Sequence, residues 1–338
     1  MLNITISMKI LVTGGLGFIG SNFIRYIINN DKYDKIINID KLSYGSNPSN
    51  LKDITDDKYS LIIGDIADSE LVSRYMKDIN VIINFAAESH VDRSIANPDP
   101  FINSNIIGCY KLLEEARKNN IKLFMHISTD EVYGDAYDRD AFKEEDRLNP
   151  SSPYSASKAA AEHLVSSYAR TYGLKTMIVR CTNNFGPYQF PEKLIPKTII
   201  RALKGLKIPL YAGGYQRRSW IYVLDFCNAI DFLLDKGKIN EVYNVTAYNE
   251  LTNRDVVMKI LSMLNKDDSM IEEVEDRPGH DKRYAVDASK ISALGWKPRY
   301  KFDEALEETV NWYIKNRWWW EPLINEQVLH PTPWKLKW

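Results

Sequence analysis

The stretch HISTDEVYG, residues 126–134, places a hydroxyl and two carboxyls directly after an apolar run, at Thr129, Asp130 and Glu131. Neighbouring carboxyls that are partly buried tend to separate in pKa, so one can hold a proton while the other accepts one. Such a pair could act as a general acid and a general base at one site. The alternative interpretation is a solvated loop, and the residues alone do not assign the two roles.

A glycine-rich turn stands near the start of the chain, in ILVTGGLGFIGS. Its glycines follow the first predicted strand and begin the first predicted helix: Gly14, Gly15, Gly17 and Gly20. Glycine there allows a tight turn and a close approach of backbone N–H groups to a pyrophosphate. Asp40 ends the next predicted strand, where a carboxylate can accept hydrogen bonds from ribose hydroxyls and repel a 2′-phosphate. The turn therefore predicts NAD rather than NADP, although the neighbouring Lys41 tempers the preference.

Tyr154 and Lys158, in PYSASKAAAEHL, are four residues apart at a predicted helix start and so share a face. A phenol has a reference pKa near ~10. An adjacent ammonium and a bound nicotinamide cation would both favour the phenolate, which predicts Tyr154 as a base for a hydroxyl group. The alternative is a surface tyrosine beside a surface lysine, because this spacing is common by chance.

Further candidates follow the third and fourth predicted strands. Asp65 and Ile66 could hold the adenine edge or simply form a turn, and Ala86 and Ala87 are small enough to let a cofactor lie close. His90 is interpreted as a structural histidine whose hydrogen bonds are satisfied within the protein.

The elements that must position these residues alternate between strands and helices. Predicted strands are MKILVTG, KIINID, YSLIIGD, VIINFAA, LFMHIS and TMIVRCT. Predicted helices run from Phe18 to Asn30, Ser69 to Lys77, Pro100 to Asn119 and Ser155 to Tyr172. This alternation predicts an α/β fold, a Rossmann-type doubly wound parallel sheet, with its site at the carboxyl ends of the strands.

After about residue 181 the pattern changes to shorter pieces broken by Gly and Pro. We predict an NAD-binding Rossmann domain over residues 1–180, to which residues 225–247 return, and a smaller C-terminal α/β substrate-binding domain over residues 181–338. Thr252 and Asp255 predict a capping box at the start of one of its helices.

Composition excludes several function classes. The 338 residues carry a formal net charge of -1, which predicts neither a nucleic-acid nor a membrane partner. Cys109, Cys181 and Cys227 lie far apart without ligand spacing, so we expect reduced core thiols, no metal site and a cytoplasmic location. The seven residues before Met8 are expected to be a tail or a mis-assigned start.

The longer motifs carry a resemblance. TGGLGFIG with YSASK resembles the extended short-chain dehydrogenase/reductase superfamily. AAESHVDRSI, STDEVYG, NPSSPYSASK, RCTNNFGPYQFPEKLIP and RPGHDKRYAVD resemble the dTDP-glucose 4,6-dehydratase family within it, from Met8 onwards. The resemblance implies a lyase of deoxysugar biosynthesis that acts on dTDP-glucose with tightly bound NAD.

In that reaction Tyr154 would take the proton of the sugar 4-hydroxyl while hydride leaves carbon 4. The resemblance makes Glu131 the base at carbon 5, Asp130 the acid for the departing 6-hydroxyl, and Thr129 a hydrogen-bond partner of the 4-oxygen. Hydride then returns to carbon 6, so NAD is regenerated. The catalytic set is thus Thr129, Asp130, Glu131, Tyr154 and Lys158.

The resemblance also implies contact residues. Those expected to contact NAD are Gly14, Gly17, Phe18, Ile19, Gly20, Asp40, Lys41, Leu42, Ser43, Asp65, Ile66, Phe85, Ala86, Ala87, Ser89, Ser104, Tyr154, Lys158 and Asn184. Those expected to contact the nucleotide sugar are Ser89, Thr129, Asp130, Glu131, Asn183, Glu192, Lys193, Leu194, Pro209, Tyr211, Arg218, Asn253, Arg277 and His280. The sequence departs from the family pattern at Ser219, where the family carries an acidic residue, and Arg217 beside it could change how Arg218 is held.

Other functions remain open at this stage. A sister 4-epimerase or decarboxylase would need the tyrosine, the lysine and NAD but not two carboxyls, and a non-catalytic NAD-binding regulator would need only the glycine turn and Asp40. The helices IIGCYKLLEEARK and KAAAEHLVSSYAR resemble the family's dimer-forming bundle and predict a homodimer, although their apolar stripes could equally be core.

Overall fold

The computed structural model describes residues 8–338, so the expectation for the residues before Met8 lies outside the described part. Its strands are β1 Met8–Thr13, β2 Tyr33–Asp40, β3 Tyr59–Ile63, β4 Val81–Asn84, β5 Leu123–Thr129, β6 Thr176–Cys181, β7 Asn183–Phe185, β8 Ile208–Tyr211, β9 Arg217–Tyr222, β10 Glu241–Val245, β11 Asn249–Thr252 and β12 Ile271–Val274. Its α-helices are α1 Phe18–Ile27, α2 Ser69–Arg74, α3 Val91–Ala96, α4 Asp99–Phe101, α5 Cys109–Lys118, α6 Pro153–Tyr172, α7 Leu194–Leu203, α8 Val223–Lys236, α9 Asn253–Met263, α10 Ser289–Ala293, α11 Phe302–Lys315 and α12 Arg317–Trp320.

Seven strands form one parallel sheet in the order β10-β6-β5-β4-β1-β2-β3. Every residue of β4, β5 and β6 is buried, as expected for strands that are covered on both faces. One apolar layer contains side chains of α1 and α8, and the opposite layer contains side chains of α2, α5 and α6. The predicted Rossmann-type doubly wound sheet is confirmed.

The segment predicted as one helix from Pro100 to Asn119 is not uniform. Residues Ile102–Gly108 form a π-helix between α4 and α5. Asn105 in this wider turn is buried, and its side chain donates to the Glu88 carbonyl oxygen at 3.0 Å and to Ser157 Oγ at 2.8 Å. The π-helix therefore ties this helix to the loop after β4 and to α6, a tertiary requirement that periodicity does not reveal.

The remaining strands form a three-stranded sheet, β11-β9-β7, and a two-stranded sheet, β12-β8. Helices α7, α9 and α11 pack with Trp319 and Trp320 in a separate apolar cluster. Thr252 and Asp255 form a capping box at α9. The chain leaves the large sheet after Cys181 and returns to it through α8 and β10; the predicted domain boundaries stay a prediction. Within residues 8–338 no helix is long and apolar enough to cross a membrane.

Candidate active site

The glycine-rich turn joins β1 to α1 at the carboxyl end of the sheet. Gly14 has a φ of +69°, and a Cβ there would stand 2.7 Å from Ala86 backbone atoms. A Cβ on Gly20 would stand 2.5 Å from the Gly14 carbonyl oxygen, so helix and turn approach each other too closely for a side chain. The N-terminus of α1 has no side-chain cap. Its backbone N–H groups are therefore available to an anion.

Asp40 at the end of β2 is buried and firmly held. Its Oδ2 accepts from Leu16 N at 2.9 Å, and its Oδ1 accepts from Leu42 N at 2.9 Å and Ser46 Oγ at 2.8 Å. Two carboxylate oxygens offer about four lone pairs, so acceptor capacity remains for a ribose hydroxyl. The rigid carboxylate suits NAD at this position.

The neighbouring Lys41 already interacts with other side chains of the protein. Its Nζ donates to Ser104 Oγ at 2.6 Å and lies 3.5 Å from Asp65 Oδ2. The lysine that tempered the preference for NAD is thus paired with a carboxylate and a hydroxyl of the protein.

A first cavity extends from the glycine turn across the ends of β1, β4 and β5. It contains the residues predicted to contact NAD except Leu42 and Asn184. Asn184 lies in the second cavity described below. Buried Ser128 Oγ faces no hydrogen-bond partner in the protein and lines the first cavity. The glycine turn and the uncapped helix end fit a pyrophosphate, and the Asp40 carboxylate fits a ribose. Together with the free Ser128 hydroxyl, these groups fit a dinucleotide.

Sequence reasoning missed several side chains of the first cavity. These are Tyr44, Glu88, Arg93, Gln189 and Phe190. Arg93 lies 3.7 Å from the centre of the Tyr44 ring and its Nη1 donates to Glu88 Oε2 at 3.3 Å. Their signal lay in the motifs that carry the resemblance, because Glu88 and Arg93 belong to AAESHVDRSI and Gln189 and Phe190 to RCTNNFGPYQFPEKLIP.

The acidic pair occupies the 3₁₀ turn that follows β5, Asp130–Tyr133. Thr129 Oγ1 accepts from Glu131 N at 3.3 Å and donates to Asp130 Oδ1 at 3.3 Å. Gly134 ends the turn with a φ of +81°, where any Cβ would collide with the Asn149 carbonyl oxygen. The backbone therefore turns away from β5 at the acidic pair. Neither carboxyl lies in a freely solvated loop.

The two carboxyls have different surroundings. Burial, followed by the charge of Glu131, raises the pKa of Asp130 to about 8. Asp130 Oδ2 has no hydrogen-bond partner in the protein. Burial also raises the pKa of Glu131, but this residue lines the second cavity, where Arg277, Arg218 and then Lys193 favour its charged form. Both carboxyls are therefore harder to ionise than usual, and the nearby cations offset the effect of burial more for Glu131 than for Asp130.

Tyr154 and Lys158 lie at the start of α6, and both line the first cavity. Burial, followed by the charge of Glu131, raises the pKa of Tyr154 well above 10, while a hydrogen bond with Thr129 lowers it. Lys158 Nζ donates to the Ile127 carbonyl oxygen at 2.7 Å, and burial lowers its pKa. Lys158 is not among the main influences on the Tyr154 pKa, which rises because burial and the charge of Glu131 dominate, opposite to the predicted direction.

A second cavity lies between the large sheet and the C-terminal half. It contains the residues predicted to contact the nucleotide sugar except Thr129 and Asp130, which lie behind Glu131. The two cavities meet, since both are lined by Ser89, His90, Gln189, Glu192 and Lys193.

Arg218 is held at the end of the second cavity by backbone and ring contacts. Its Nη1 donates to the Arg217 carbonyl oxygen at 2.8 Å and its Nη2 to the Asp281 carbonyl oxygen at 3.0 Å. The His280 Nε2 lies 3.0 Å from the same Nη2, and His280 Nδ1 lies 2.6 Å from Asp276 Oδ1. Burial, followed by Arg277, lowers the pKa of His280 to about 3, so a neutral ring donates from Nδ1 and accepts at Nε2.

The departure from the family pattern next to Arg218 has a local explanation. Ser219 Oγ donates to the Tyr284 carbonyl oxygen at 3.3 Å. The Arg217 side chain points to Glu250, with Nε 2.8 Å from Oε1. Arg218 is therefore held through the Arg217 backbone and not through its charge.

Asp92 organises the opposite side of the second cavity, and sequence reasoning missed it. Arg277 Nη1 donates to Asp92 Oδ1 at 2.8 Å, and Tyr211 OH donates to Asp92 Oδ2 at 2.7 Å. Burial opposes ionisation, but Arg277, His90 and these hydrogen bonds together hold the pKa of Asp92 well below its usual range. The side chain lies 185 positions from its arginine partner in sequence.

The interpretation of His90 as a satisfied structural histidine is wrong. Its buried Nδ1 lies 3.3 Å from Glu192 Oε2, but neither atom makes a hydrogen bond, because the contact geometry is poor. Both residues line both cavities. His90 thus stands at the junction of the cavities with a free ring nitrogen. Across residues 8–338, no group of three or more His, Cys, Asp or Glu side chains could hold a metal ion.

The parallel sheet, the first cavity with its glycine turn and Asp40, and the Tyr154–Lys158 pair that lines this cavity define a class, the Rossmann-type short-chain dehydrogenases/reductases. Residues 11–309 match the model of a family described as GDP-mannose 4,6 dehydratase. The chain belongs to this family.

Individual relatives narrow the comparison. The chain is 47% identical to dTDP-glucose 4,6-dehydratase 1 of Escherichia coli, covering 92% of this chain and 94% of the relative. It is 49% identical to the low-salt glycan biosynthesis protein Agl12 of Haloferax volcanii, covering 91% and 99%. The crystal structure of DesIV, a dTDP-glucose 4,6-dehydratase from Streptomyces venezuelae with NAD bound, superposes with a TM-score of 0.92 at 43% identity, covering 94% of this chain and 100% of that one.

Proposed function

We propose that this chain is an NAD-dependent dTDP-glucose 4,6-dehydratase that produces dTDP-4-keto-6-deoxy-glucose. The observation that carries the proposal is the buried acidic pair near Tyr154, in which burial raises the pKa of Asp130 to about 8 and Glu131 lines the second cavity near Arg277, Arg218 and Lys193. A sister 4-epimerase has no use for two carboxyls in this position. The curated and structural relatives described above support the same activity.

Residues 1–180, with residues 225–247, would hold NAD, and residues 181–338 would hold most of the nucleotide sugar. The glycine turn and the start of α1 would bind the pyrophosphate, and Asp40 would accept from the adenosine ribose. When bound, NAD would accept a hydride from carbon 4 of the sugar and return it to carbon 6. Nothing in this cycle requires added cofactor.

The chain's own residues move the protons. Tyr154 would take the proton of the 4-hydroxyl, since the positive charge of a bound nicotinamide would oppose the effect of burial and of Glu131 on its pKa, and Thr129 would hold the oxygen at that carbon. The ketone formed there acidifies the proton on carbon 5, which Glu131 removes. Asp130 protonates the departing 6-hydroxyl, so the water leaves as a neutral molecule. Arg218 and Arg277 bind the diphosphate because a guanidinium offers two parallel donors to such an anion.

The experiment is incubation of the purified protein with dTDP-glucose and no added reductant, followed by product mass analysis. We expect a loss of one water per sugar, with no steady accumulation of NADH. An unchanged mass with an inverted hydroxyl would identify an epimerase instead. UDP-glucose in a parallel reaction tests the preference for the thymidine nucleotide.

A homodimer is part of the proposal. Ile102, Ile107 and Tyr110 on the helix that includes the π-helix are 42%, 42% and 38% exposed, and Tyr172 at the end of α6 is 53% exposed. These apolar side chains lie on the two helices expected to form a bundle, and pairing with a second copy would cover them. We further place the enzyme in the cytoplasm, where its three buried free cysteines would stay reduced.

A further inference from the structure

The C-terminal segment, residues 325–338, packs against residues that line both cavities and contains two tryptophans that the catalytic cycle does not use. It is fixed to α7 through backbone carbonyl groups. Arg201 Nη1 donates to the Leu329 carbonyl oxygen at 2.6 Å, and Lys197 Nζ donates to the His330 carbonyl oxygen at 3.2 Å. The side chains of Val328 and Leu329 are buried in the apolar cluster around α11. The segment is therefore a structured part of the fold.

Trp334 packs against Tyr211, a residue that lines the second cavity. Its buried ring stands edge-on to Tyr211, with 4.7 Å between ring centres and an angle of 85°. The Tyr211 hydroxyl in turn donates to Asp92, whose other oxygen accepts from Arg277. Trp334 thus fixes the Tyr211 ring. That ring orients the Asp92 carboxylate, which in turn holds Arg277.

Trp338 packs against Tyr44, a residue that lines the first cavity. Its ring centre lies 5.7 Å from that of Tyr44, at 77°. The Arg93 guanidinium contacts both rings, 3.7 Å from the centre of Tyr44 and 4.8 Å from the centre of Trp338. The Trp338 Nε1 donates to the Pro333 carbonyl oxygen at 3.1 Å, which folds the segment back on itself. Tyr44 and Arg93 both line the first cavity, while Trp338 does not.

We propose that residues 325–338 are a strap that positions the two ends of the site separately, Trp334 through Tyr211 at the nucleotide-sugar end and Trp338 through Tyr44 and Arg93 at the dinucleotide end. The identity of the two ligands rests on the proposed function. Neither tryptophan lines the cavities, so both are positioning residues. Neither contacts the acidic pair or Tyr154, so the proton-transfer steps should proceed normally once both ligands are bound.

The test uses the full chain with Trp334→Ala and Trp338→Ala. An aromatic pair contributes about 0.5–1.5 kcal/mol, which corresponds to roughly twofold to tenfold in affinity. Trp334→Ala should weaken dTDP binding in calorimetry and raise the KM for dTDP-glucose by that factor, with kcat and NAD content unchanged. Trp338→Ala should lower the NAD content of the purified protein and leave dTDP affinity unchanged. Trp334→Phe should restore most of the dTDP affinity.

Trp318→Ala is the matched control, because Trp318 is 47% exposed and its ring contacts Lys52, at 3.7 Å, away from both cavities. It should alter neither ligand. Equal loss of both ligands in both variants would overturn the strap, as it would indicate general destabilisation, and so would wild-type binding in both. If the wild-type protein itself bound neither dTDP nor NAD, the proposed function would fail instead.

Discussion

Two buried ionic clusters lie beside β5 and β6, and they differ in how completely their groups are paired. In the first, the Arg180 guanidinium meets both oxygens of Glu162, with Nε–Oε distances of 3.1 and 3.0 Å and an Nη2–Oε2 distance of 2.6 Å. Its Nη1 donates to Tyr133 OH and to the Glu144 carbonyl oxygen, and Tyr133 OH donates to Asn244. This cluster is satisfied within the protein.

The second cluster, formed by Thr129, Asp130, Glu131 and Tyr154, is left incomplete. Asp130 Oδ2 has no partner, and the best contact of Glu131 Oε2 with Tyr284 OH is long, at 3.5 Å. The fold stabilises the first set of charges and raises the energy of the second. A buried ionic group whose hydrogen-bonding capacity is fully used within the protein has a structural role. A buried ionic group with an unused donor or acceptor can instead interact with a substrate.

The largest expected effect is a loss of reaction rate when the second cluster is changed. Glu131→Gln should lower the dehydration rate by roughly 10²- to 10⁴-fold, because an amide cannot accept the carbon 5 proton. The variant should still oxidise the sugar, so NADH absorbance should appear while carbon 5 fails to exchange in heavy water. Normal exchange would move Glu131 out of the role of base.

The next largest effect is a loss of stability when the first cluster is changed. Arg180→Met leaves the buried Glu162 carboxylate without its partner and should lower the free energy of unfolding by about 3–5 kcal/mol. The measurement is denaturant unfolding, with activity of the remaining folded protein as the second readout. The matched control is Arg180→Met with Glu162→Leu, which should recover much of the loss since no charge is stranded. A large stability loss from Glu131→Gln would erase the contrast between the clusters.

The smallest effect concerns Asp130 and pH. Its pKa is about 8 in the folded protein and has an ordinary value of 3.8 in the unfolded chain. The folded state therefore binds a proton more tightly, and stability is lost as pH rises from about 4 to about 8. Asp130→Asn removes this loss, although the amide carries its own cost of burial.

We therefore expect Asp130→Asn to be more stable than the wild type by about 1–3 kcal/mol at pH 8, with no such advantage near pH 4. Thermal melting at both pH values measures the difference. The same variant should lose elimination. A constant difference across pH would mean that Asp130 titrates normally in the folded protein.

Much of the fold could be read from local sequence. Continuous apolar runs predicted the buried strands, and the glycine turn predicted the strand-to-helix junction, because a tight turn without side chains is a local requirement. The acidic pair and the Tyr154–Lys158 spacing were also visible, since their members are adjacent or one helical turn apart. The sequence thus determined which chemical groups follow which strands.

Tertiary structure decided how those groups behave. The pKa of Asp130 depends on its complete burial, and that of Tyr154 rises where a lysine neighbour suggested a fall. Three features depend on residues that lie about 100 or more positions apart. They are the pairing of Asp92 with Arg277, the placement of His90 against Glu192 and the contact of Trp334 with Tyr211. Periodicity and spacing carry no information about such contacts, because desolvation and long-range pairing exist only once the chain has packed.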